Sequence, residues 1–416
     1  MLKIPRKKIV SGITFLCVYL LLLLFSGYYF FEYTAFSGRI LIIMLLGILI
    51  LLGRNTIEKK SFAVAILLII NVLLTNVVTG FEKTSIVLLP ITLIEVALFV
   101  SLIPLDDFIK KFIDCMVLIG IVSLIGNVIL VVIPNLLSYF PQVINSQGRS
   151  STFLIFGMIS DFSMTGAYRN QGIFWEPGAY QVFLCLGYLF ELYSKRNGES
   201  RKWVCVLFLI SLFSTMSTTG IIVAIALIVL TLGRRRGKAS IIKMGLIIII
   251  TFYVAIKVLP LLGGFWEYTL VTKIDQVLNY QMGVSNEASS RMDSLFYVLQ
   301  EFLKSPIFGI GKCGYIDLAE KIGHSMFTCT PMNWFAMYGI FWGIFIYRNL
   351  WKLFQKITGS YFETSIFLLI LCISVFSEEF STNPFFLILV FYGLSRQKIS
   401  QNLTGEKNIN YENSRN

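Results

Sequence analysis

The stretch "YRNQGIFWEPGAYQVFLC", from Tyr168 to Cys185, combines charged side chains with the start of a long apolar run. Arg169 carries a permanently charged guanidinium whose fork of N–H donors matches the oxygens of a phosphate. Glu176 carries a carboxylate, a group that can take a proton from a hydroxyl. These two residue types can therefore bind an anion and assist proton transfer within one short segment.

A second polar stretch, "SNEASSRMDSLFYVLQEFLKSPIFGIGKCGYIDLAEKIGHSMFTCTP", lies further along the chain. In it "SRMD" is a capping-box pattern, which predicts a short amphipathic helix that has Ser290 as its N-cap and runs to about Leu303. Arg291 then stands in the first helical turn, where the helix dipole does not favour a cation, and this predicts an anionic neighbour. Around Lys312, "GIGKCG" offers backbone N–H donors, and His324 precedes the next apolar run.

Each of these residues also has a purely structural interpretation. Pro177 suits the first turn of a helix, and Glu176 just before it would complement the positive helix end. The arginines Arg169 and Arg291 could serve as anchors at a membrane interface, and His324 could satisfy local hydrogen bonds only. The residue types alone leave both interpretations open.

The chain that positions these residues has 416 residues, of which 56% are hydrophobic and only 14% are charged. Soluble domains have roughly 25% charged residues, and apolar runs near or above ~18 residues indicate membrane helices. We therefore predict an all-α polytopic integral membrane protein with one membrane domain over residues 1–395 and a disordered cytoplasmic tail over 396–416. The first apolar run has no convincing cleavage site, so we expect it to be retained as a span.

About twelve spans follow from the apolar runs. They lie near residues 9–31, 40–53, 62–79, 85–104, 112–134, 177–194, 203–217, 219–233, 240–259, 331–347, 361–377 and 384–395. The run 203–232 is divided into a hairpin with its turn at "STMSTTG", because a single span would leave "GRRRGK" outside the cell. Since these halves are short, we expect the Ser/Thr turn to lie below the outer surface, against protein or water.

The positions of Lys and Arg predict the orientation of the chain. With both termini in the cytoplasm, most of the 35 basic residues fall in the inner segments. The formal net charge of +12 is then a topology signal, and it does not favour nucleic acid as a partner. This topology leaves two large extracytoplasmic loops, at about 135–176 and 260–330.

Cysteine and histidine usage argues against a metal centre in the sequence. The seven cysteines are scattered without a CxxC pair, and His324 is the single histidine, so no plausible zinc site results. Cys313 and Cys329 fall in one predicted outer loop and could pair.

Two further acidic positions have more than one interpretation. Glu95 lies near mid-membrane, where a charge is costly, so it must be protonated, paired or beside a cavity. Asn71 and Asn127 are possible hydrogen-bonding partners in neighbouring spans, which favours a structural role. Glu378 and Glu379 in "SEEFSTNPF" lie at an outer helix end, where they either line a sugar-binding region or form a polar turn.

Three segments in a fixed order carry a resemblance to a known family. "RNQGIFWEPGAY", "R…L…FLKSPIFGIG" and "H…GIFWG" resemble segments of the Wzy-type polysaccharide polymerases and of the related O-antigen ligases. The resemblance covers residues 140–395, including the number of spans and both outer loops. It implies a fold loosely grouped with the type C glycosyltransferases. It also implies transfer of glycan from undecaprenyl diphosphate to an acceptor hydroxyl, without a metal, a nucleotide sugar or another cofactor.

The resemblance also implies roles for individual residues. Arg169 matches the arginine before the Gly-x-Phe of the first loop, and Arg291 matches the arginine before the "sPlxGiG" stretch. His324 matches the histidine before the last spans, although Ser325 follows it where the family often has asparagine. Glu176 belongs to the "EPG" variant of capsule and exopolysaccharide polymerases. The resemblance therefore implies that Arg169 and Arg291 act on the diphosphate and that Glu176 or His324 takes the acceptor proton. Substrate binding is expected from nearby polar positions: Arg149, Tyr168, Gln171, Tyr180 and Lys312.

The expected function is polymerisation of lipid-linked repeat units into O-antigen, capsule or exopolysaccharide at the bacterial cytoplasmic membrane. The expected partners are the lipid-linked oligosaccharide and the bilayer, with a flippase and a chain-length regulator as further candidates. One alternative is a ligase that passes glycan to another acceptor. A second alternative, from another class, is a flippase or transporter. A transporter would place its charges inside the helices around a central path, whereas here the polar residues concentrate in two loops.

Overall fold

A computed structural model of the chain describes residues 6–26, 35–54, 57–144, 150–154, 157–160, 169–193, 200–236, 243, 245, 289–322 and 327–395. Most of these residues are helical. The first eight helices are α1 (Arg6–Phe25), α2 (Ala35–Leu51), α3 (Lys59–Thr79), α4 (Leu89–Leu102, preceded by a π-helical turn at Thr84–Leu88), α5 (Leu105–Val132), α6 (Pro177–Tyr193), α7 (Lys202–Ser214) and α8 (Thr218–Arg236). The others are α9 (Ser289–Lys304), α10 (Gly311–Lys321), α11 (Thr330–Ala336), α12 (Gly339–Thr358), α13 (Tyr361–Val375) and α14 (Pro384–Leu394).

The long apolar helices make this a membrane protein. Within the described residues, four helical segments are long and apolar enough to cross a bilayer, namely Arg6–Phe25, Lys59–Thr79, Thr84–Leu102 and Leu105–Val132. The predicted span 331–347 is divided in the structure between α11 and α12, the second of which continues to Thr358, so its bounds were wrong; helices overlap the other predicted spans. The exception is 240–259, of which only residues 243 and 245 are described. The predicted tail, 396–416, lies outside the described residues.

Three short strands depart from the all-α prediction. They are β1 (Gln142–Ile144), β2 (Ser150–Leu154) and β3 (Gly157–Ser160), which pair antiparallel in the order β1-β2-β3. Their residues include the β-branched and aromatic types that favour strands, and the turn-forming "NSQG" separates β1 from β2 in the sequence. The first predicted outer loop therefore contains a small sheet that helical periodicity did not reveal.

The predicted hairpin in 203–232 is confirmed. α7 ends at Ser214 and α8 begins at Thr218, and Met216 between them has a positive φ of 47°. Thr215 and Ser217 in the turn are buried. The Thr215 hydroxyl donates to the Leu212 carbonyl at 2.7 Å. The Ser/Thr turn is thus enclosed by protein, as its polar composition predicts.

The predicted amphipathic helix is present as α9. It begins at Ser289 and ends at Lys304, so Ser290 lies inside its first turn and not before it. The N-cap assignment of Ser290 was therefore wrong by two residues, a shift that is common at helix ends.

The partner predicted for Glu95 was also wrong. Its Oε2 accepts a hydrogen bond from Arg39 Nη1 at 2.9 Å, and the same nitrogen donates to Thr92 Oγ1 at 2.8 Å. The Arg39 guanidinium lies 5.4 Å from the centre of the Phe25 ring. Because α2 begins at residue 35, Arg39 lies one turn inside the helix, where it can pair with a carboxylate on the neighbouring α4.

Cys313 and Cys329 do not form the disulfide that their shared loop allowed. Both are free; Cys329 is buried and Cys313 is partly exposed. The Cys313 Sγ donates instead to the Asp317 carboxylate at 3.8 Å.

Ion pairs connect several helices at one end of the structure, around Arg201 and Arg234, and we name this region the Arg201 end. Arg201 pairs with Glu191 at 2.8 Å and with Asp114 at 3.6 Å. Arg234 pairs with Glu363 at 3.3 Å. These contacts join the residue before α7 to the first half of α5 and the end of α6, and they join the end of α8 to the start of α13. The orientation rule assigns these positions to one side of the membrane.

Hydrogen bonds to backbone carbonyls connect helices at the opposite end of the structure, which includes Glu176 and which we name the Glu176 end. The Trp175 amide donates to the Ser26 carbonyl at 2.9 Å, and Asn383 Nδ2 donates to the Phe25 carbonyl at 3.3 Å. The start of α6 and the start of α14 therefore meet the end of α1.

Helix α6 is the most enclosed of the described helices. All of its residues except Gly178 are buried. Phe183 packs against Phe385 of α14 with ring centres 4.8 Å apart, and Phe385 packs against Phe112 of α5 at 5.1 Å. A helix that is buried on every face occupies the centre of its protein. The segment that opens α6 is thus attached to a central element.

Candidate functional site

The end of the first predicted outer loop is fixed to the α7–α8 turn. Arg169 Nε donates to the Thr215 carbonyl at 3.1 Å. The Asn170 amide donates to the Ser214 carbonyl at 3.0 Å, and Asn170 Nδ2 donates to Ser214 Oγ at 2.9 Å. The buried Ser/Thr turn thus orients the planar guanidinium of Arg169.

Gln171 and Tyr180 lie in the interior behind this segment. Tyr180 is fully buried, and its hydroxyl lies 3.0 Å from Ser123 Oγ. Gly172 has a φ of 56°, and a Cβ atom there would lie 3.1 Å from the Tyr180 ring, so both the turn and the packing require glycine. Gln171 is buried beside it. Both predicted binding residues support the segment in the structure, and their direct contact with a substrate stays a prediction.

The start of α6 is covered by Glu378. This residue is only 2% exposed and lies in the turn between α13 and α14. A Cβ atom on Gly178 would overlap Glu378 Oε1, which shows how closely the carboxylate approaches the first turn of α6. The first N–H groups of a helix lack intrahelical acceptors and attract negative charge. Glu378, which comes from a distant part of the chain, therefore places a carboxyl group beside this helix end.

Glu176 is the second carboxyl group beside this helix end. Its backbone carbonyl accepts the Tyr180 amide at 3.1 Å, as the residue before a helix should. Its carboxylate is half-buried, and Oε1 would lie 3.9 Å from a Cβ on Gly178. Among the described residues, the Glu176 carboxylate has no hydrogen-bonding or ion-pairing partner. It is therefore available to a ligand.

Glu379 is held by Tyr315 of the second predicted outer loop, by Asn333 of α11 and by Ser381 of its own turn. Its Oε2 accepts hydrogen bonds from Asn333 Nδ2 and, at 3.2 Å, from the Tyr315 hydroxyl. Its Oε1 accepts the Ser381 amide at 3.0 Å. The Tyr315 hydroxyl also donates to the Phe327 carbonyl at 2.7 Å. Burial, together with the nearby Glu379 charge, raises the pKa of Tyr315 well above its usual value, so the tyrosine remains a protonated donor.

Thr330 attaches this loop to the same turn. Its hydroxyl donates to the Glu378 carbonyl, its amide donates to that carbonyl at 3.2 Å, and its Oγ1 accepts the Phe380 amide at 2.8 Å. Three distant segments, 169–178, 311–333 and 377–383, therefore meet at the Glu176 end.

Lys312 belongs to the edge of this region. Its Nζ lies 5.1 Å from the centre of the Tyr315 ring. Burial opposes ionisation of Glu82 nearby. The hydrogen bonds from Thr84 and Ser85 and the positive charge of Lys312 outweigh that effect and hold the pKa of Glu82 below its usual value. Lys312 is thus linked to Glu379 through Tyr315, and it carries a positive charge at the margin of an otherwise acidic region.

The other predicted site residues are located only in part. Arg291 lies in the first turn of α9, and its side chain is not among those described. Arg149, Tyr168 and His324 lie outside the described residues. Of the predicted site residues, the structure therefore describes the side-chain surroundings of Arg169, Gln171, Glu176, Tyr180 and Lys312, and their joint action on a substrate stays a prediction.

Asn333 and Tyr315 hydrogen-bond to Glu379 in the structure, and neither residue was predicted from the sequence. The available signal for Asn333 was an amide inside the apolar run that follows "TCTP". Tyr315 gave no signal, because a tyrosine in "CGYIDLAEK" is equally expected in a surface helix. In the described part of the chain, no group of three His, Cys, Asp or Glu side chains is arranged to hold a metal ion.

Comparison of the chain with protein-family models, with curated proteins and with solved structures finds no match in any of the three. The function of the Glu176 end is therefore argued from its residues and their contacts.

Proposed function

We propose that the protein is a membrane-embedded glycosyltransferase that polymerises undecaprenyl-diphosphate-linked repeat units into a surface polysaccharide. The reaction takes place at the outer face of a bacterial cytoplasmic membrane, and the Glu176 end faces outward. The observation that carries the proposal is the presence of a guanidinium and a carboxylate on one segment at the start of a central helix. The guanidinium of Arg169 is oriented by the Thr215 carbonyl, and the carboxylate of Glu176 has no partner among the described residues.

Arg169 is suited to the diphosphate leaving group. Negative charge develops on the phosphate oxygen as its bond to the sugar breaks, and fixed donors that await this charge stabilise the transition state. The hydrogen bond from Nε to Thr215 fixes the plane of the guanidinium before substrate binds. Arg291, in the first turn of α9, supplies the second fork of donors in this proposal.

Glu176 is suited to the acceptor hydroxyl. The hydroxyl oxygen attacks the anomeric carbon of the donor glycan while its proton passes to the Glu176 carboxylate. The bond from the anomeric carbon to the diphosphate breaks, and its electron pair leaves with the phosphate oxygen. The products are an extended glycan, undecaprenyl diphosphate and a protonated Glu176, which then releases its proton to water.

The support behind these residues suits a catalytic site. Reacting groups work best on rigid elements whose own contacts lock them in place. Glu176 immediately precedes α6, which is packed on every side, and Glu378 and Gly178 fix the first turn of that helix. The topology of about twelve spans with cytoplasmic termini belongs to the proposal. So does a complex with a flippase and a chain-length regulator.

A transporter of lipid-linked sugar is the second candidate, and the Arg39–Glu95 ion pair favours it. The pair lies between α2 and α4, and charges inside helices are typical of transport paths. We rank it lower because Glu176, Glu378 and Glu379 lie in segments that connect helices, whereas a transport path has its charges inside the helices.

In vitro polymerisation of purified lipid-linked repeat unit tests the proposed function. Wild-type protein is expected to produce a ladder of lipid-linked polymers, and Glu176→Gln is expected to produce far less. Transfer of intact glycan only to a different acceptor would identify a ligase. Movement of the repeat unit across proteoliposome membranes without any transfer would identify a transporter.

A further inference from the structure

We infer that Glu379 is the binding residue for the acceptor sugar and forms, with Asn333 and Ser381, a hydroxyl-binding subsite next to Glu176. The inference rests on the proposed function, and it assigns the acceptor to a turn that lies outside both predicted outer loops.

The three carboxylates at the Glu176 end differ in their surroundings. Glu378 is buried against the first turn of α6. Glu176 is half-buried and has no partner among the described residues. Glu379 is partly exposed, and three donors fix its orientation. A fixed and partly exposed carboxylate is the one suited to hold a ligand in a defined position.

Glu379 retains capacity to accept another hydrogen bond. An ionised carboxylate has about four acceptor positions on its two oxygens. Asn333, Tyr315 and Ser381 occupy three of them. A ligand hydroxyl can donate to the remaining position, where the charge of the carboxylate strengthens the bond.

Two buried oxygens beside Glu379 lack partners and point to the same kind of ligand. Asn333 is 0% exposed and Ser381 is 2% exposed. Neither Asn333 Oδ1 nor Ser381 Oγ has a hydrogen-bonding partner among the described residues. The Nδ2 of Asn333 and the backbone amide of Ser381 both donate to the Glu379 carboxylate, so both residues adjoin it. Buried polar atoms are normally hydrogen-bonded, and an unmatched one is costly.

The ligand that matches these atoms is polyhydroxylated. The amide oxygen of Asn333 can only accept a hydrogen bond, whereas the serine hydroxyl can donate and accept. Sugar hydroxyls supply donors and acceptors from adjacent carbons. A phosphate supplies acceptors for the most part, and the negative charge of Glu379 would repel it. The subsite therefore favours the uncharged part of the substrate.

The position of the subsite suits the acceptor and not the donor. Glu379 follows Glu378, whose carboxylate adjoins the same Gly178 that Glu176 approaches. A sugar held by Glu379 would thus present a neighbouring hydroxyl to Glu176. The diphosphate of the donor would lie toward Arg169, on the side of the α7–α8 turn.

The test uses the repeat unit as an alkyl glycoside, which lacks a diphosphate and can serve only as acceptor. Purified full-length wild type, Glu379→Gln, Ser381→Ala and Glu176→Gln are compared with Glu301→Gln, a control in α9 whose carboxylate pairs only with Lys304 in the described structure. Glycoside binding is measured by calorimetry, and transfer kinetics are measured with donor and acceptor varied separately.

Glu379→Gln is expected to raise the Kd and the acceptor KM by about 10- to 100-fold, the effect of one charge-assisted hydrogen bond. It should leave the donor KM close to the wild-type value. Ser381→Ala is expected to raise the acceptor KM several-fold, and Glu176→Gln is expected to lower kcat with little change in the Kd. This division between KM and kcat would not result from a general loss of folding.

A wild-type Kd and acceptor KM in both Glu379→Gln and Ser381→Ala would overturn the subsite while the proposed function stands. If Glu379→Gln does not fold, Ser381→Ala decides the question alone. Absence of polymerisation by wild type would overturn the proposed function, and glycoside binding would then still show whether the subsite exists.

Discussion

The carboxylate of Glu378 lies where a side chain on Gly178 would begin. The two residues are 200 positions apart in the chain, and their contact joins the α13–α14 turn to the start of α6. Glu378 thereby places a second carboxyl group beside the helix end that the sequence offered to Glu176 alone. The contact explains the glycine in "EPG".

Gly178→Ala is therefore expected to lower both activity and the melting temperature, because the new Cβ displaces Glu378. Gly126→Ala in α5 is the matched control, since nothing lies within 4 Å of its Cβ position and alanine favours a helix. Polymer yield and thermal unfolding in detergent measure the two effects. The effects of Gly178→Ala and Glu378→Ala should also be less than additive when combined, because both remove one contact. Full additivity of the two effects would show that the two substitutions do not disturb the same contact.

Glu176→Gln is expected to reduce kcat by about 100- to 10,000-fold, the usual contribution of a general base. The melting temperature should stay close to that of wild type, because Glu378 and not Glu176 covers the helix start. Kinetics and thermal unfolding of the same preparation provide the comparison. A lowered melting temperature with little change in kcat would instead return Glu176 to a structural role.

Arg169→Lys and Arg291→Lys keep the positive charge but lose the fork of donors. Each should reduce turnover by about 10- to 100-fold, because one charge-assisted hydrogen bond contributes about 1.5–3 kcal/mol. Arg348→Lys, at an exposed position of α12, is the control. Turnover of purified lipid-linked repeat unit is the measurement, and near wild-type turnover by either variant would remove that arginine from the site.

The Arg39–Glu95 ion pair changes the expected behaviour of Glu95→Gln. The glutamine can still form a hydrogen bond, but it leaves the Arg39 charge without its counter-ion between α2 and α4. Breaking a buried pair costs up to about 3–5 kcal/mol. The single variant should therefore be less stable, and Arg39→Met combined with Glu95→Leu should recover stability. Wild-type stability of the single variant would show that the pair contributes little.

Cysteine labelling tests the proposed orientation. Cysteines introduced at Ser146 and Asn286 should react with an impermeant thiol reagent in intact cells, and one at Gly237 should remain protected. The expectation follows from the distribution of basic residues. Reaction at Gly237 alone would reverse the assignment.

Local pattern was sufficient where a feature depends on neighbouring residues. The continuous apolar runs predicted α1, α3 and α5, because a helix satisfies its own backbone in a bilayer. The amphipathic spacing after Ser290 predicted α9, and the Ser/Thr cluster predicted the break between α7 and α8. The residue types at Arg169 and Glu176 indicated where to look for chemistry.

The tertiary structure decided which polar side chains are already in contact with distant parts of the protein. Glu378 against Gly178, Asn333 against Glu379 and Arg39 against Glu95 are contacts between segments that are 46 to 200 residues apart. Periodicity along the chain reports which face of a helix is apolar, but it does not report which distant side chain approaches that face. In the sequence, a glutamate buried against a helix start (Glu378), one held by hydrogen bonds (Glu379) and one without a described partner (Glu176) look the same. They differ only after the helices pack, because packing decides which donors each carboxylate meets.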